Sequence, residues 1–419
     1  SIALAWTVNR STVRRNNNFD DATITPYAGV LYGNWFSKVS IKNCNGPLYI
    51  RNFAVDGGNG TVTTLVHTTL NGYEIDNSTV VIENALATRC KQTGFRISNS
   101  DVIFNRSIIA IRNYTLTDYQ TRNDYKSTGI RCLNSNITVS SSQYVSGSNA
   151  VIHASWNKYG IELFNSRWLG GHSRKTYSNT SSMTHIQTCY NNDSGFKLNS
   201  SYLEVPGRLD CHNNSIGLES INSQIKLNEG TFEYNGSYGL KAEGSHIEYN
   251  QDLNRYAQPN ANEPEGHMHM KNNGVNLLLD KSDLFYIDGN SLNSKYGQFY
   301  VYQTFGVAVD ANGQKTSLPN MQVFNGSNLR IIKPYIYNRQ TALATTLPIY
   351  GILAAVKNNS KATFVGHAGN SVGSVLGISV FIGPPNYSQQ KHTAGIFADN
   401  ASIVEFQGPT LICNNGVGV

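Results

Sequence analysis

The stretch GFKLNSSYLEV (195–205) is followed by GLESINSQIKL (217–227) and GLKAEGSHIEY (239–249), so that one motif recurs at a constant interval. In each copy a glycine precedes an apolar-x-apolar stretch, a serine stands at the sixth position after the glycine, and a second such stretch follows. Alternation of this kind indicates a short β-strand on each side of a polar turn. The repeat therefore predicts a fold built from many short β-strands.

The motif extends through much of the chain. Four earlier copies begin at Gly72, Gly94, Gly129 and Gly160, and inserted loops lengthen the intervals that follow the last three of them. Looser copies begin at Gly274, Gly306, Gly351 and Gly395, and residues 38–53 resemble a degraded unit. Insertions of variable length between copies are typical of stacked units whose loops leave at a corner.

A unit as short as the interval from Gly195 to Gly217 cannot bury its own apolar face, whereas stacked units can. A leucine-rich horseshoe has a similar period, but it needs Leu at several fixed points and a helical segment. The mixture of Ile, Val, Phe and Tyr favours an all-β, right-handed parallel β-helix, a solenoid of ~22-residue coils with loop insertions. We expect an N-terminal β segment at 1–71, a regular β-helix at 72–250 and a less regular continuation with longer loops at 251–419.

Alternation also predicts the interior of the coils. The first and third residues after each glycine point inward and the second points outward. The side chains predicted to be inside are Phe95, Ile97, Ile130, Ile161, Leu163, Phe196, Leu198, Leu218 and Leu240.

Composition agrees with this fold. The 419 residues are only 14% charged, which argues against a coiled coil, and 24 Tyr and 16 Phe argue against disorder. The net charge of +6 is dispersed, so no nucleic-acid partner is predicted, and no apolar run is long enough for a membrane span. The N-terminal residues show no signal peptide, and we expect a fragment or a processed chain.

The polar positions of the motif are predicted to form ladders of side-chain hydrogen bonds in the turns. Glycan attachment at the Asn77-Ser78-Thr79 acceptor is the alternative, but the repeat already accounts for these residues. The ladder residues are Ser78, Ser100, Ser135, Ser166, Ser201, Ser223 and Ser245, with Asn77, Asn99, Asn134, Asn165 and Asn222 before them.

Two charge columns follow from the same register. Lys197, Glu219 and Lys241 occupy the outward second position, and Glu204, Lys226 and Glu248 occupy the ninth. Opposite charges that stack contribute about 0.2–1 kcal/mol each. A glutamate between two lysines ionises readily and makes a poor general acid, so a structural role is favoured.

The remaining reactive side chains give weaker signals. Cys189 and Cys211 are separated by one repeat interval, and packed thiols are favoured over a disulfide because stacking in register gives poor bridge geometry. His267 and His269 alternate on one side of a strand, which would supply two metal ligands, but no third ligand has convincing spacing. The sequence therefore predicts no metal and no cofactor.

The G-Φ-x-Φ-x-N-S-x-Φ-x-Φ units (Φ, apolar) resemble the parallel β-helix proteins of bacteriophage tails, namely tailspikes, fibres and baseplate appendages. The resemblance covers residues 72 to about 250 and is weaker as far as 406. It implies a homotrimeric virion component on the exterior of the particle, which contacts other virion proteins and in some members cleaves host surface polysaccharide. Pectate-lyase-like enzymes and secreted adhesins share such coils.

Two functional hypotheses remain open. One is a non-enzymatic virion structural or host-contact protein of the tail, fibre or baseplate. The other is a tailspike-type polysaccharide depolymerase, either a glycoside hydrolase or a lyase, which needs two carboxylates in one groove. Candidate carboxylates outside the columns are Asp118, Asp124, Asp193 and Asp210, with loops 113–128 and 170–193 as groove walls. No pair stands out, so no catalytic residue is assigned. A secreted adhesin would need a signal peptide and a translocator.

Overall fold

The computed structural model describes part of the chain. The described residues are 2–6, 34–59, 66–67, 69–113, 127–140, 151–170, 185–250, 268–287, 299–304, 307–309, 315–332, 334–337, 352–366, 380–382, 392–408, 410–412 and 415–417. They form strands, bends and turns and contain no helix. The all-β class predicted from the sequence is therefore confirmed for these residues.

Contacts divide the chain into two units, which we call unit 1 (residues 1–207) and unit 2 (residues 208–419). Within each unit almost all the described strands belong to a large, mainly parallel sheet.

The strands of the first part of the chain are short except where two or three segments of a repeat run together. In chain order they are β1 (Ile2–Trp6), β2 (Asn34–Asp56), β3 (Gly58–Asn59), β4 (Val66–His67), β5 (Asn71–Thr88), β6 (Thr93–Ser98), β7 (Asp101–Ile111), β8 (Thr128–Leu133), β9 (Asn136–Ser140), β10 (Val151–Ser155), β11 (Tyr159–Phe164), β12 (Arg167–Leu169), β13 (His185–Cys189), β14 (Ser194–Asn199) and β15 (Tyr202–His212).

The later strands repeat this pattern with wider spacing. They are β16 (Ile216–Ile221), β17 (Gln224–Glu233), β18 (Tyr238–Glu243), β19 (His246–Asn250), β20 (Met268–Asn273), β21 (Val275–Asp280), β22 (Asp283–Ile287), β23 (Phe299–Thr304), β24 (Val307–Val309), β25 (Lys315–Ser317), β26 (Met321–Phe324), β27 (Asn328–Ile332), β28 (Pro334–Tyr337), β29 (Ile352–Lys357), β30 (Lys361–Val365), β31 (Val380–Ile382), β32 (His392–Ala398), β33 (Ile403–Gln407), β34 (Thr410–Ile412) and β35 (Asn415–Val417).

Each repeat of unit 1 contributes to three ladders of parallel strands. The first ladder runs through β5, β6, β8, β11 and β14. The second runs through β5, β7, β9, β12 and β15, and the third through the ends of β5 and β7, then β10 and β13. Strand β1 pairs antiparallel with β2.

Unit 2 has the same cyclic order. Its first ladder is β16, β18, β21, β26, β29, β32 and β35. Its second is β17, β19, β22, β27, β30 and β33, and its third is the end of β17, then β20, β23, β28, β31 and β34. In both units the chain visits the ladders in the order first, second, third.

The interior agrees with the alternation. All nine side chains predicted to point inward are fully buried. Aromatic rings also pack between repeats, for example Tyr73 and Phe95, whose centroids lie 4.3 Å apart at 6°. Burial of each such side chain contributes about 1.5–3 kcal/mol, so the core supplies most of the favourable free energy of folding.

The anchor glycines are required because successive backbones approach closely. A Cβ on Gly94 would lie 2.7 Å from the carbonyl oxygen of Gly129, and a Cβ on Gly129 would lie 2.6 Å from that of Gly160. Real Cβ atoms do not come so close to backbone atoms, so any side chain here would push the repeats apart.

Candidate functional site

The motif serines form a continuous ladder within each unit. Each serine Oγ accepts a hydrogen bond from the backbone N–H of the equivalent residue one repeat earlier. From Ser78 to Ser360 the ladder hydroxyls also donate to a carbonyl two or three residues earlier in the chain. In unit 1 the acceptors are Ser78, Ser100, Ser135, Ser166 and Ser201, at 3.1–3.2 Å. In unit 2 they are Ser245, Ser282, Ser327, Ser360 and Ser402, and Ser223 donates its N–H to Ser245.

This ladder differs in detail from the one expected from the sequence. The sequence predicted ladders of side-chain hydrogen bonds without naming the partners, and in the structure each serine hydroxyl accepts from a backbone N–H, whereas some of the asparagines bond to one another through their side chains. The residue before each serine explains the difference, because it turns the chain into the left-handed region and leaves the serine N–H pointing along the stack. These residues are Asn77, Asn99, Asn134, Asn165, Ser200, Asn222 and Gly244, with φ between 45° and 60°.

The main role of the asparagines is therefore to allow the left-handed backbone conformation of the turn. Asparagine tolerates positive φ better than most residues, and glycine has no Cβ to clash. Their exposed side chains also meet along the stack, since Asn134 Nδ2 lies 3.4 Å from Asn99 Oδ1 and Asn77 Nδ2 lies 2.9 Å from Asn43 Oδ1.

A second asparagine ladder, absent from the sequence analysis, lies in the turn that precedes each anchor glycine. Asn157 Oδ1 accepts the N–H of Asn113, and Asn191 Oδ1 accepts the N–H of Asn157, both at 3.1 Å. In unit 2, Asn235 and Asn273 repeat the arrangement. These amides of the ladder are nearly or fully buried, so their hydrogen bonds hold the interior of the turn together.

The charge columns can be followed inside each unit. In unit 2, Glu219 pairs in register with Lys241 at 3.1 Å, and Lys226 pairs with Glu248 at 3.0 Å. In unit 1, Lys197 is in register with Glu162. Glu204 accepts the Tyr202 hydroxyl at 2.7 Å.

The outer row of the first ladder in unit 1 begins with a neutralised carboxylate. Glu74 contacts Lys38 at 2.6 Å, Arg96 at 3.6 Å and Lys42 at 4.0 Å. A hydrogen bond from Lys38 is the main cause that holds the pKa of Glu74 below its ordinary value. Glu74 therefore stays ionised and is a poor proton donor.

A shallow polar pocket of about 240 Å³ lies beside Glu74. It is lined by Glu74, Asp76, Arg96, Ser98, Asn99, Leu133 and Asn134. Asn99 lies within 3.4 Å of Asp76 Oδ1, so both carboxylates that line the pocket already have polar partners.

Glu162 is more buried than Glu74, which lies in the same outer row, although it too contacts a cation of a neighbouring repeat, Arg131, at 3.7 Å. Although alternation places it outside the apolar core, only 4% of its surface is exposed. Burial raises the pKa of Glu162, and the Thr128 hydroxyl, which donates to Oε2 at 2.7 Å, opposes the shift only in part. The positive charges of Arg131 and Lys197 also oppose the rise in the pKa, and the negative charge of Asp193, the weakest of these influences, adds to it. A buried carboxyl group with a raised pKa is the kind of group that general acid catalysis uses.

Two aromatic side chains stack in the turns that precede Glu162 and Asp193. Trp156 and Tyr190 occupy equivalent left-handed positions in consecutive repeats, and their rings stack at 4.5 Å and 13°. Tyr190 is 37% exposed. The Asp193 N–H donates to the Lys158 carbonyl at 2.9 Å, so the stack and Asp193 belong to the same pair of turns.

The other positions that the sequence singled out give less evidence of a functional site. Asp210 is buried and accepts a hydrogen bond from Arg208 at 2.8 Å. Cys189 and Cys211 are buried thiols that do not form a disulfide bond, as the sequence favoured. His269 lies in β20, whereas His267, Asp118 and Asp124 lie outside the described residues, as does most of loops 113–128 and 170–193.

In the part of the chain that the structure describes, no group of three or more His, Cys, Asp or Glu side chains is placed to hold a metal ion. The same residues include no helix that is long and apolar enough to cross a membrane. No protein-family model, curated protein or solved structure matches the chain.

Proposed function

We propose that the chain is a right-handed parallel β-helix that serves as a structural component of a bacteriophage tail, fibre or baseplate. In this proposal it forms a homotrimer on the exterior of the virion and contacts other virion proteins and the host surface. The cyclic order of the three ladders supports the coil, and right-handed crossovers are the general rule for parallel strands.

The observation that carries the structural role is the neutralisation of the outer carboxylates by cations in neighbouring repeats. Glu74, Glu219 and Glu248 each contact a lysine within 3.1 Å. Ion pairs of this kind belong to a scaffold whose surface charges bind one another rather than a substrate. Together with the serine ladders they favour a rigid support over a reactive cleft.

Immunogold electron microscopy tests this proposal. Antibodies against the purified protein are applied to intact particles of the phage whose genome encodes the chain. We expect gold on the tail or baseplate of each particle. Labelling confined to the host envelope or the culture medium would contradict the proposal.

A second candidate function is cleavage of host surface polysaccharide, and Glu162 is the specific observation that favours it. A buried carboxyl group with a raised pKa suits the proton donor of a glycoside hydrolase, and Asp193 would be the second carboxylate. The Trp156–Tyr190 stack would support a sugar ring by its flat apolar face.

Sugar release from purified host polysaccharide distinguishes the two candidates. If the chain is a depolymerase, Glu162→Gln lowers the release of reducing ends by at least about 100-fold, because removal of a general acid has that effect. Glu219→Gln is the matched control, because Glu219 is a buried glutamate at an equivalent outward position and is paired with Lys241 at 3.1 Å. Absence of release by the unmodified protein favours the structural role.

A further inference from the structure

The outer surface of the second ladder in unit 1 carries an apolar stripe. The strand register places one residue from each of six repeats in a row, and the sixth residue is Glu204. We call the first five residues the apolar stripe, in which only Thr138 is polar: Tyr49, Val81, Ile103, Thr138 and Leu169. Tyr49 is 74% exposed and Ile103 is 37% exposed.

The stripe contrasts with the outer row of the neighbouring first ladder. There the register aligns Glu74, Arg96, Arg131 and Glu162, all of them charged. Alternation turns the stripe residues outward, because Val80 and Ile82 on either side of Val81 fill the core, although only 9% of Val81 itself is exposed. Two large apolar side chains of the row, Tyr49 and Ile103, are exposed, and exposed apolar side chains that line up in this way mark an interaction surface.

Charged residues flank the stripe differently on its two sides. On one side Glu83 contacts Arg51 at 2.8 Å and Arg106 at 3.1 Å, which leaves one positive charge in excess. On the other side, in the same strand as Ile103, Asp101 is exposed and accepts a hydrogen bond from the neutral amide of Asn136 at 2.8 Å. The two flanks therefore carry complementary charge at the level of Ile103.

We propose that copies of this chain pack against one another through the apolar stripe, around a rotation axis parallel to the stack of strands. Rotation about such an axis keeps every residue at its own height and brings one flank of a copy against the opposite flank of its neighbour. Ile103 then packs near the axis, and Arg106 of one copy faces Asp101 of the next. This inference rests on the self-association in the proposed function and names the surface responsible.

Sedimentation velocity over a wide range of protein concentration tests the surface. Ile103→Lys places a charge at the centre of the interface, so we expect the dissociation constant to rise by at least about tenfold. Tyr234→Lys is the matched control, because Tyr234 is 52% exposed but lies in unit 2, outside the strands that carry the stripe, and it should leave assembly unchanged.

A charge exchange tests the orientation of the copies. Asp101→Arg and Arg106→Asp should each weaken assembly, whereas the double variant should recover most of it. The two residues are five positions apart on one strand, so recovery requires contact between copies. Asp is compatible with the left-handed backbone at position 106.

The outcomes separate the surface from the function. If Ile103→Lys assembles as tightly as the unmodified protein, the stripe is not the interface, and the virion role stands. A protein that stays monomeric at every concentration overturns self-association itself, whereas the virion location is decided by immunogold labelling alone.

Discussion

A Cβ on Gly129 would lie 2.9 Å from the side-chain nitrogen of Asn157, which belongs to the next repeat along the stack. The Asn157 amide is fully buried and donates to the carbonyls of Ala110 and Ser155. A Cβ on Gly94 would lie at the same distance from Nδ2 of Asn113, and a Cβ on Gly160 would lie at the same distance from Nδ2 of Asn191. The anchor glycine therefore provides the space that the buried amide occupies, and neither residue can change alone.

Gly129→Ala should lower the free energy of unfolding by about 1–3 kcal/mol, because the added methyl meets both a carbonyl oxygen and the Asn157 amide. Urea denaturation followed by circular dichroism measures the change. Gly46→Ala is the control, since no atom lies within 4 Å of its Cβ, and it should change stability by less than about 0.5 kcal/mol. Equal effects at the two positions would refute the steric argument.

Ser135→Ala should destabilise the protein by about 1–3 kcal/mol, because the buried N–H of Ser100 loses its acceptor. Ser98→Ala is a suitable comparison, since Ser98 is half-buried in the same region and lies outside the ladder. Hydrogen exchange at the Ser100 amide should also accelerate. An unchanged exchange rate would mean that water replaces the hydroxyl without cost.

Asn157→Asp should destabilise more than Asn134→Asp at neutral pH. At position 157 the substitution replaces an amide that donates to two carbonyls by a buried carboxylate, whereas Asn134 is exposed. Comparison of the two urea midpoints measures the difference. Lowering the pH should restore part of the stability at position 157 only, because protonation removes the buried charge.

Glu162 and Glu74 should give opposite pH dependence. The raised pKa of Glu162 means that the folded state binds the proton of this carboxyl group more tightly than the unfolded state does. The contribution of Glu162 to stability is therefore greatest below pH 4.5 and falls as the pH rises through the folded pKa. The lowered pKa of Glu74 contributes stability above pH 4.5, and this contribution is lost as the pH falls through the folded pKa.

Glutamine substitutions separate the two residues. At pH 7, Glu162→Gln should raise the urea midpoint and Glu74→Gln should lower it, and below pH 4 both differences should shrink. A fall in the midpoint of Glu162→Gln at pH 7 would show that its contacts with Thr128 and Arg131 outweigh the cost of burial.

The repeat allowed the strands and the interior to be predicted because alternation has only two outcomes, inward and outward. The burial of Phe95 and Leu198 follows directly from this alternation. The buried asparagines did not, because their distance from the anchor glycine varies, as the positions of Asn157 before Gly160 and of Asn191 before Gly195 show. Burial of Glu162 was also missed, since alternation gives the direction of a side chain but not what covers it.

The serine ladder keeps one geometry whatever the length of chain between its members. Ser78 and Ser100 are 22 residues apart and Ser282 and Ser327 are 45 apart, yet the N-to-Oγ distances are 3.1 and 3.0 Å. The length of a loop that leaves the stack between two serines therefore does not change the hydrogen bond between them. Such a scaffold can exchange its loops for others of different length and sequence, and so bind new partners without any change in its stacked strands.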